Sequence, residues 1–196
     1  MSQPKPENRQ TIRAFVAIDI PDKQQGQIAL LQNCLKHLPG QISWVKPQNM
    51  HLTLKFMGEF PASLVEAASQ ALQGMGVIPF ELGFAQQIGF FPSEMRPRVI
   101  WLGLESAGEL ARLQRTVEER LCHLGLPPED KAFKPHLTLG RLRQAFKGNL
   151  AANLKGLQLP QVEGFRVSEI KFIRSELRPQ GPVYTELGSV AFICGA

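Results

Sequence analysis

One tetrapeptide occurs twice in this chain: His51-Leu52-Thr53-Leu54 returns as His136-Leu137-Thr138-Leu139, 85 residues later. Four histidines form six pairs, and a coincidental three-residue match after any of them has odds of about one in a thousand at average composition. The chain therefore reads as two related halves. Each copy sits in a stretch with strand character, where side chains at i and i+2 share a face. His51 and Thr53 then point one way and Leu52 and Leu54 the other, and the same holds for His136, Thr138, Leu137 and Leu139. The leucines can anchor each strand in a core, while imidazole and hydroxyl look into whatever lies between the halves.

The remaining pattern predicts strands over 12–20, 42–45 and 50–56 and helices over 22–38 and 62–75. A second strand-and-helix lobe follows, with strands over 77–90 and 99–104, a helix over 109–124 and a strand over 136–142. A short helix over 150–157 and late strands over 165–173 and 183–193 complete it, the last two joined at Pro179-Gln180-Gly181-Pro182. The apolar parity shifts between Val167 and Ile170, which predicts a bulge near Ser168 and Glu169.

With 196 residues, 43% of them hydrophobic, the chain can fill one proper core. No stretch approaches the run of roughly 18 apolar residues that a membrane span needs. Residues 1–10 (MSQPKPENRQ) carry neither an apolar nor an Arg-rich amphipathic segment. The expectation is a disordered tail over 1–10, a single bilobal domain over 11–196, a cytoplasmic location and a monomer. Cys34, Cys122 and Cys194 are odd in number and far apart, which argues against a disulfide framework and predicts reduced thiols in the core. A net charge of +5 favours an anionic partner, but the basic residues are scattered. Any phosphate site must be assembled by folding.

Two histidines and two hydroxyls suit one kind of chemistry. An imidazole with an ordinary pKa near 6.5 lets one copy act as a neutral base while the other acts as an imidazolium acid. In-line displacement at phosphorus wants those groups on opposite sides of the substrate, as facing lobes would supply them. Threonine hydroxyls can donate to the non-bridging phosphate oxygens. Two histidines without Cys, Asp or Glu at ligand spacing are too few for a metal site, so no metal or cofactor is expected. His37 and His123 fall late in predicted helices and are assigned no chemistry. Trp44, Phe56, Phe91, Trp101 and Tyr184 are possible stacking platforms for a base. Arg141 joins the face of His136 and Thr138 only if the strand bends at Gly140; strict alternation puts it on the other face.

The chain resembles the 2H phosphoesterases, named for two His-x-Thr-x motifs, and among them the RNA 2′,3′-cyclic phosphodiesterases, also called 2′-5′ RNA ligases. The likeness is carried by Arg13-Ala14-Phe15-Val16-Ala17, by Trp44-Val45-Lys46-Pro47 and Asn49 before His51, and by Phe56 and Gly58 after it. It continues through Pro97-Arg98-Val99-Ile100-Trp101, the run from Phe133 to Arg141, Ser175-Glu176-Leu177 and Gly181-Pro182-Val183-Tyr184. It implies an α+β, bilobal fold, with two antiparallel sheets flanked by helices around a central cleft. It also implies hydrolysis of a terminal RNA 2′,3′-cyclic phosphate, on tRNA fragments or oligonucleotides, to a 2′-phosphate. His51 is then the proton donor and His136 the proton acceptor, with Thr53, Thr138 and Arg141 binding substrate. The identical tetrapeptides do not themselves distinguish donor from acceptor. Two other readings share the motifs: a different phosphoester, including 2′-5′ ligation, and a non-catalytic RNA clamp. A clamp would be served better by Arg or Lys, whose charge does not titrate near neutrality.

Overall fold

The computed structural model describes residues 11–146 and 148–193. The order is β1 (Thr11–Asp19), α1 (Asp22–Leu35), β2 (Ile42–Trp44), β3 (His51–Pro61), α2 (Val65–Leu72), β4 (Phe80–Phe91) and β5 (Val99–Glu105). Then come α3 (Glu109–Cys122), β6 (His136–Leu142), β7 (Phe165–Val167), β8 (Glu169–Arg178) and β9 (Gly181–Ala191). Every strand pairing is antiparallel. One sheet has the order β3-β1-β8-β9 and the other β2-β6-β5-β4-β7. The α+β architecture expected from the sequence is present, and each motif strand lies in its own sheet.

The lobes are interleaved and not consecutive as the sequence suggests. β2 follows β1 and α1 yet pairs with β6, while β8 and β9, last in the chain, complete the sheet that begins it. The expected bulge at Ser168 is this crossing. β7 pairs with β4, the strand ends, and β8 starts at Glu169 against β1, with Phe192 N–H donating to the Ser168 carbonyl at 2.7 Å. The parity shifts there because the two pieces face the core from different sheets.

α1 carries Ile28, Leu31 and Leu35 on one buried stripe. It stops at Leu35, short of the expected Leu38, because Pro39 disfavours helical geometry in the residue before it; Leu38 N–H instead closes a turn on the Leu35 carbonyl at 3.0 Å. In α3 the stripe is Leu110, Leu113, Val117 and Leu121. Cys34 and Cys122 each sit one residue, hence about 100°, from a stripe leucine, and both are exposed. The expectation of core thiols fails for these two on that geometry; Cys194 and the tail over 1–10 lie outside the described residues. Leu52, Leu54, Leu137 and Leu139 all enter one continuous core, at about 2 kcal/mol of burial each. No helix among the described residues is long and apolar enough to cross a membrane.

Candidate active site

The two motif strands carry the same irregularity in the same place. In β3, Thr53 pairs with Ala17 and Lys55 with Val16, so Leu54 is an extra residue. In β6, Thr138 pairs with Trp101 and Gly140 with Ile100, so Leu139 is extra. A bulge resets the alternation. Leu54 and Lys55 are both buried, as are Leu139 and Gly140, after which Phe56 and Arg141 emerge on the face of the histidines and threonines. Strict alternation would have sent Arg141 to the opposite face. Gly140 permits the close approach of β2 here, since a Cβ at that position would lie 2.9 Å from Ile42 Cγ2 and 3.0 Å from Trp44 Cε3. The Leu139 carbonyl accepts from Val45 N–H and from the buried Gln32 Nε2, each at 2.9 Å, which fixes the bulge.

His51 lies opposite Asp19 on β1. Its ring stacks on Phe15 with centroids 4.5 Å apart and meets the edge of Tyr184 at 5.0 Å. Burial drives its pKa down to about 4; the Asp19 carboxylate and a hydrogen bond that the ring donates to the Asn49 backbone oppose that shift, and Arg141 adds to it. Asp19 is itself held by Lys171, whose ammonium lies 2.9 Å from it and 2.9 Å from Glu186.

His136 lies opposite Gly103, with Phe91 edge-on at 4.9 Å and Trp101 at 6.3 Å. Its Nδ1 is 2.7 Å from the Lys134 carbonyl. A carbonyl only accepts, so Nδ1 carries the proton and the neutral ring presents an unprotonated Nε2. Burial lowers this pKa as well, the Lys134 bond opposes the shift and Arg141 again adds to it. Arg141 also opposes the rise that burial gives the Tyr184 phenol. One guanidinium thus acts on His51, on His136 and on Tyr184, and the two motifs share one field.

Phe56 is exposed beside Phe15, and Phe91 and Trp101 stack at 5.2 Å. Trp44 turns away toward Gly140 and the core. The Trp101 indole lies over Gly89, where a Cβ would meet it at 2.0 Å, and its buried N–H has no partner among the described residues. His37 and His123 are exposed at the ends of α1 and α3. The sequence pattern assigns Phe15 no place at the site and does not single out Asp19 or Lys171. Alternation in β1 puts Phe15, Ala17 and Asp19 on one face, but only the register with β3 reveals that the face is this one. Among the described residues no group of three His, Cys, Asp or Glu side chains comes together as a metal site. The face offers two imidazoles, two hydroxyls and a cation, a set that can bind a phosphate and move protons on either side of it.

The sequence profile of the family described as LigT like Phosphoesterase matches the chain twice, over residues 18–101 and 102–184, one motif in each match. An RNA 2′,3′-cyclic phosphodiesterase of Methanothermobacter thermautotrophicus is 35% identical over 179 residues, covering 90% of this chain and 96% of the relative. The homologue of the same name from Thermus thermophilus is 36% identical over 186 residues, covering 90% and 88%. Among solved structures, that of E. coli LigT complexed with 3′-AMP superposes with a TM-score of 0.76 at 26% identity, covering 93% of this chain and 99% of the other.

Proposed function

The chain belongs to the LigT-like phosphoesterases, and from that membership we propose that it hydrolyses the terminal 2′,3′-cyclic phosphate of RNA to a 2′-phosphomonoester. The observation that carries this reading is the shared field of Arg141 at two identically bulged His-x-Thr strands. Thr53 and Thr138 donate to the non-bridging oxygens, and Arg141 neutralises the charge gathering there. His136 Nε2 takes a proton from water as its oxygen bonds to phosphorus. The bond from phosphorus to O3′ breaks, and O3′ leaves with the proton of His51. A 5′-hydroxyl in place of water would give a 2′-5′ diester by the same transfers.

His51 is neutral at pH 7 in the free protein, with a pKa near 4. It takes up a proton from solvent as substrate binds, because the substrate's anion stabilises the imidazolium. Raising the pKa to 7 requires about 4 kcal/mol of attraction, available from a phosphate in contact inside a partly buried site. Positional analysis of the product tests the reading. A nucleoside 2′-monophosphate formed in the presence of EDTA is expected; a 3′-monophosphate would reverse the leaving group, and complete inhibition by chelator would remove the side-chain mechanism.

A further inference from the structure

The cationic face of the five-stranded sheet continues past Arg141. Arg143 N–H donates to the Gln41 carbonyl at 2.9 Å, extending the pairing of β2 with β6. Its side chain lies over Ser43, the cross-strand partner of Arg141, and Nε donates to Ser43 Oγ at 2.6 Å. Arg143 is therefore on the face of His136, Thr138 and Arg141. Two residues along a strand span about 6.6 Å, comparable to the separation of successive phosphates in an extended RNA chain. Ser43 occupies Nε, and among the described residues neither terminal NH2 group of this exposed guanidinium has a partner, so both can donate in a fixed plane.

Among the described residues no carboxylate forms an ion pair with Arg141 or Arg143. Arg141 acts on both histidines, whereas Arg143 is not among the groups that shift either one. It stands one step farther from the reacting centre. The matching line on β3 differs: beyond Thr53 come Phe56, Gly58 and the exposed Glu59, the last opposite Arg13 of β1. A polyanion that enters at the histidines meets two cations in succession along β6.

We propose that Arg143, oriented by Ser43, binds the internal phosphodiester adjacent to the terminal nucleotide, so that the site recognises an RNA chain and not only a cyclic mononucleotide. This inference rests on the reading of Arg141 as the contact to the scissile phosphate. It is tested by comparing cytidine 2′,3′-cyclic phosphate with a dinucleotide ending in the same group. Arg143→Gln is expected to lower kcat/KM for the dinucleotide about tenfold more than for the mononucleotide, chiefly through KM. Arg143→Lys should restore part of the difference, and Ser43→Ala should reproduce a smaller part. A dinucleotide with a neutral methylphosphonate linkage should lose the same factor on wild-type protein and nothing further on Arg143→Gln.

The dependence of log kcat/KM on log salt for the dinucleotide should also become shallower by about 0.7, the contribution of one phosphate contact on a single strand. Equal effects of Arg143→Gln on mononucleotide and dinucleotide would overturn the inference. Calorimetric affinity for the dinucleotide 2′-phosphate reads the subsite without turnover. If hydrolysis is absent, the functional reading fails on its own, and equal affinities of wild type and Arg143→Gln would sink the subsite separately.

Discussion

His51 and His136 stand in the same tetrapeptide, on strands bulged at the same position, yet in opposite company. Across from His51 is the carboxylate of Asp19; across from His136 is Gly103. A carboxylate could not simply be placed at the second site, because even a Cβ on Gly103 would stand 3.0 Å from the Cβ of Ala85. Where the first strand brings Phe56 onto the face, the second brings Arg141. Paired with Thr53 is Ala17, whereas Trp101 is paired with Thr138. The difference teaches that a repeated motif acquires distinct duties from its cross-strand partners. Asp19 favours the imidazolium on the first histidine, and the Lys134 carbonyl fixes the base tautomer on the second. Burial alone would leave His51 without the proton an acid must carry. The same low dielectric that penalises its charge also magnifies attraction to a bound phosphate, so His51 gains most when substrate arrives.

The comparison breaks most directly at the imidazoles. His51→Ala and His136→Ala should each lower turnover by about 10²- to 10⁴-fold, the range for losing a general acid or base. Exposed His37 and His123 serve as controls, and their alanine variants should remain near wild type in steady-state assays. A control variant that is folded and as damaged as the motif variants would relocate the site.

Next in size is the buried position after each bulge, which the halves fill in different ways. Lys55 is only 2% exposed and pairs with Glu118 of α3, while its ammonium also donates to the Pro127 carbonyl at 2.9 Å. Lys55→Met strands the Glu118 carboxylate and should cost about 3 kcal/mol of stability, whereas Lys55→Met combined with Glu118→Leu should recover much of it. Denaturant unfolding of the single and double variants measures the recovery. A double variant no more stable than Lys55→Met would show that the pair is not the relevant contact. Gly140→Ala probes the other half, where the new methyl must displace Ile42 or Trp44 and loosen β2.

Smaller effects are expected at the hydroxyls. Thr53→Val and Thr138→Val each remove one phosphate donor and should cost about 1 to 3 kcal/mol of transition-state stabilisation, read from kcat/KM. With Arg141 and Trp101 on its own sheet, Thr138 should matter less singly than Thr53, whose cross-strand partner is Ala17. The reverse ranking would mean that the cation does not share the work of the second threonine.

Much of this arrangement is legible from residue order. The two tetrapeptides, the leucines that bury and the polar pair that does not follow from period-2 alternation. Arg141 and Phe56 needed more, because one extra residue in each strand reverses their side and a bulge leaves little trace beyond Gly140. The crossing at Ser168 is a parity shift in the sequence, and parity does not say whether a strand bulges or changes sheets. Asp19 escapes for another reason. It falls inside the expected strand over 12–20 with nothing to mark its face as functional, and only the pairing of β1 with β3 sets it beside His51.

The finest test of the comparison is the pH dependence, where Asp19 is the charged group that acts on His51 and not on His136. Around His51 the charged and titratable groups are Asp19, held by Lys171, together with Arg141 and the Tyr184 phenol. Both histidines titrate below 6.5 in the free protein, His51 near 4. The bell in kcat/KM should therefore lie acidic of an ordinary imidazole, with limbs that belong to the coupled pair. The bell in kcat should sit at higher pH, because bound phosphate raises both groups. Asp19 raises the His51 pKa, so Asp19→Asn must lower it. Above its pKa the imidazolium fraction falls tenfold per pH unit, so a downward shift of a few tenths lowers kcat/KM at pH 7 by about two- to threefold. Saturating substrate, which supplies its own anion, should mask most of that loss in kcat. The ring-proton titration of His51 followed by NMR should move down in Asp19→Asn while that of His136 stays in place. Equal movement of both rings would mean that Asp19 does not distinguish the two histidines, and movement of His51 upward would place the carboxylate's effect with the wrong sign.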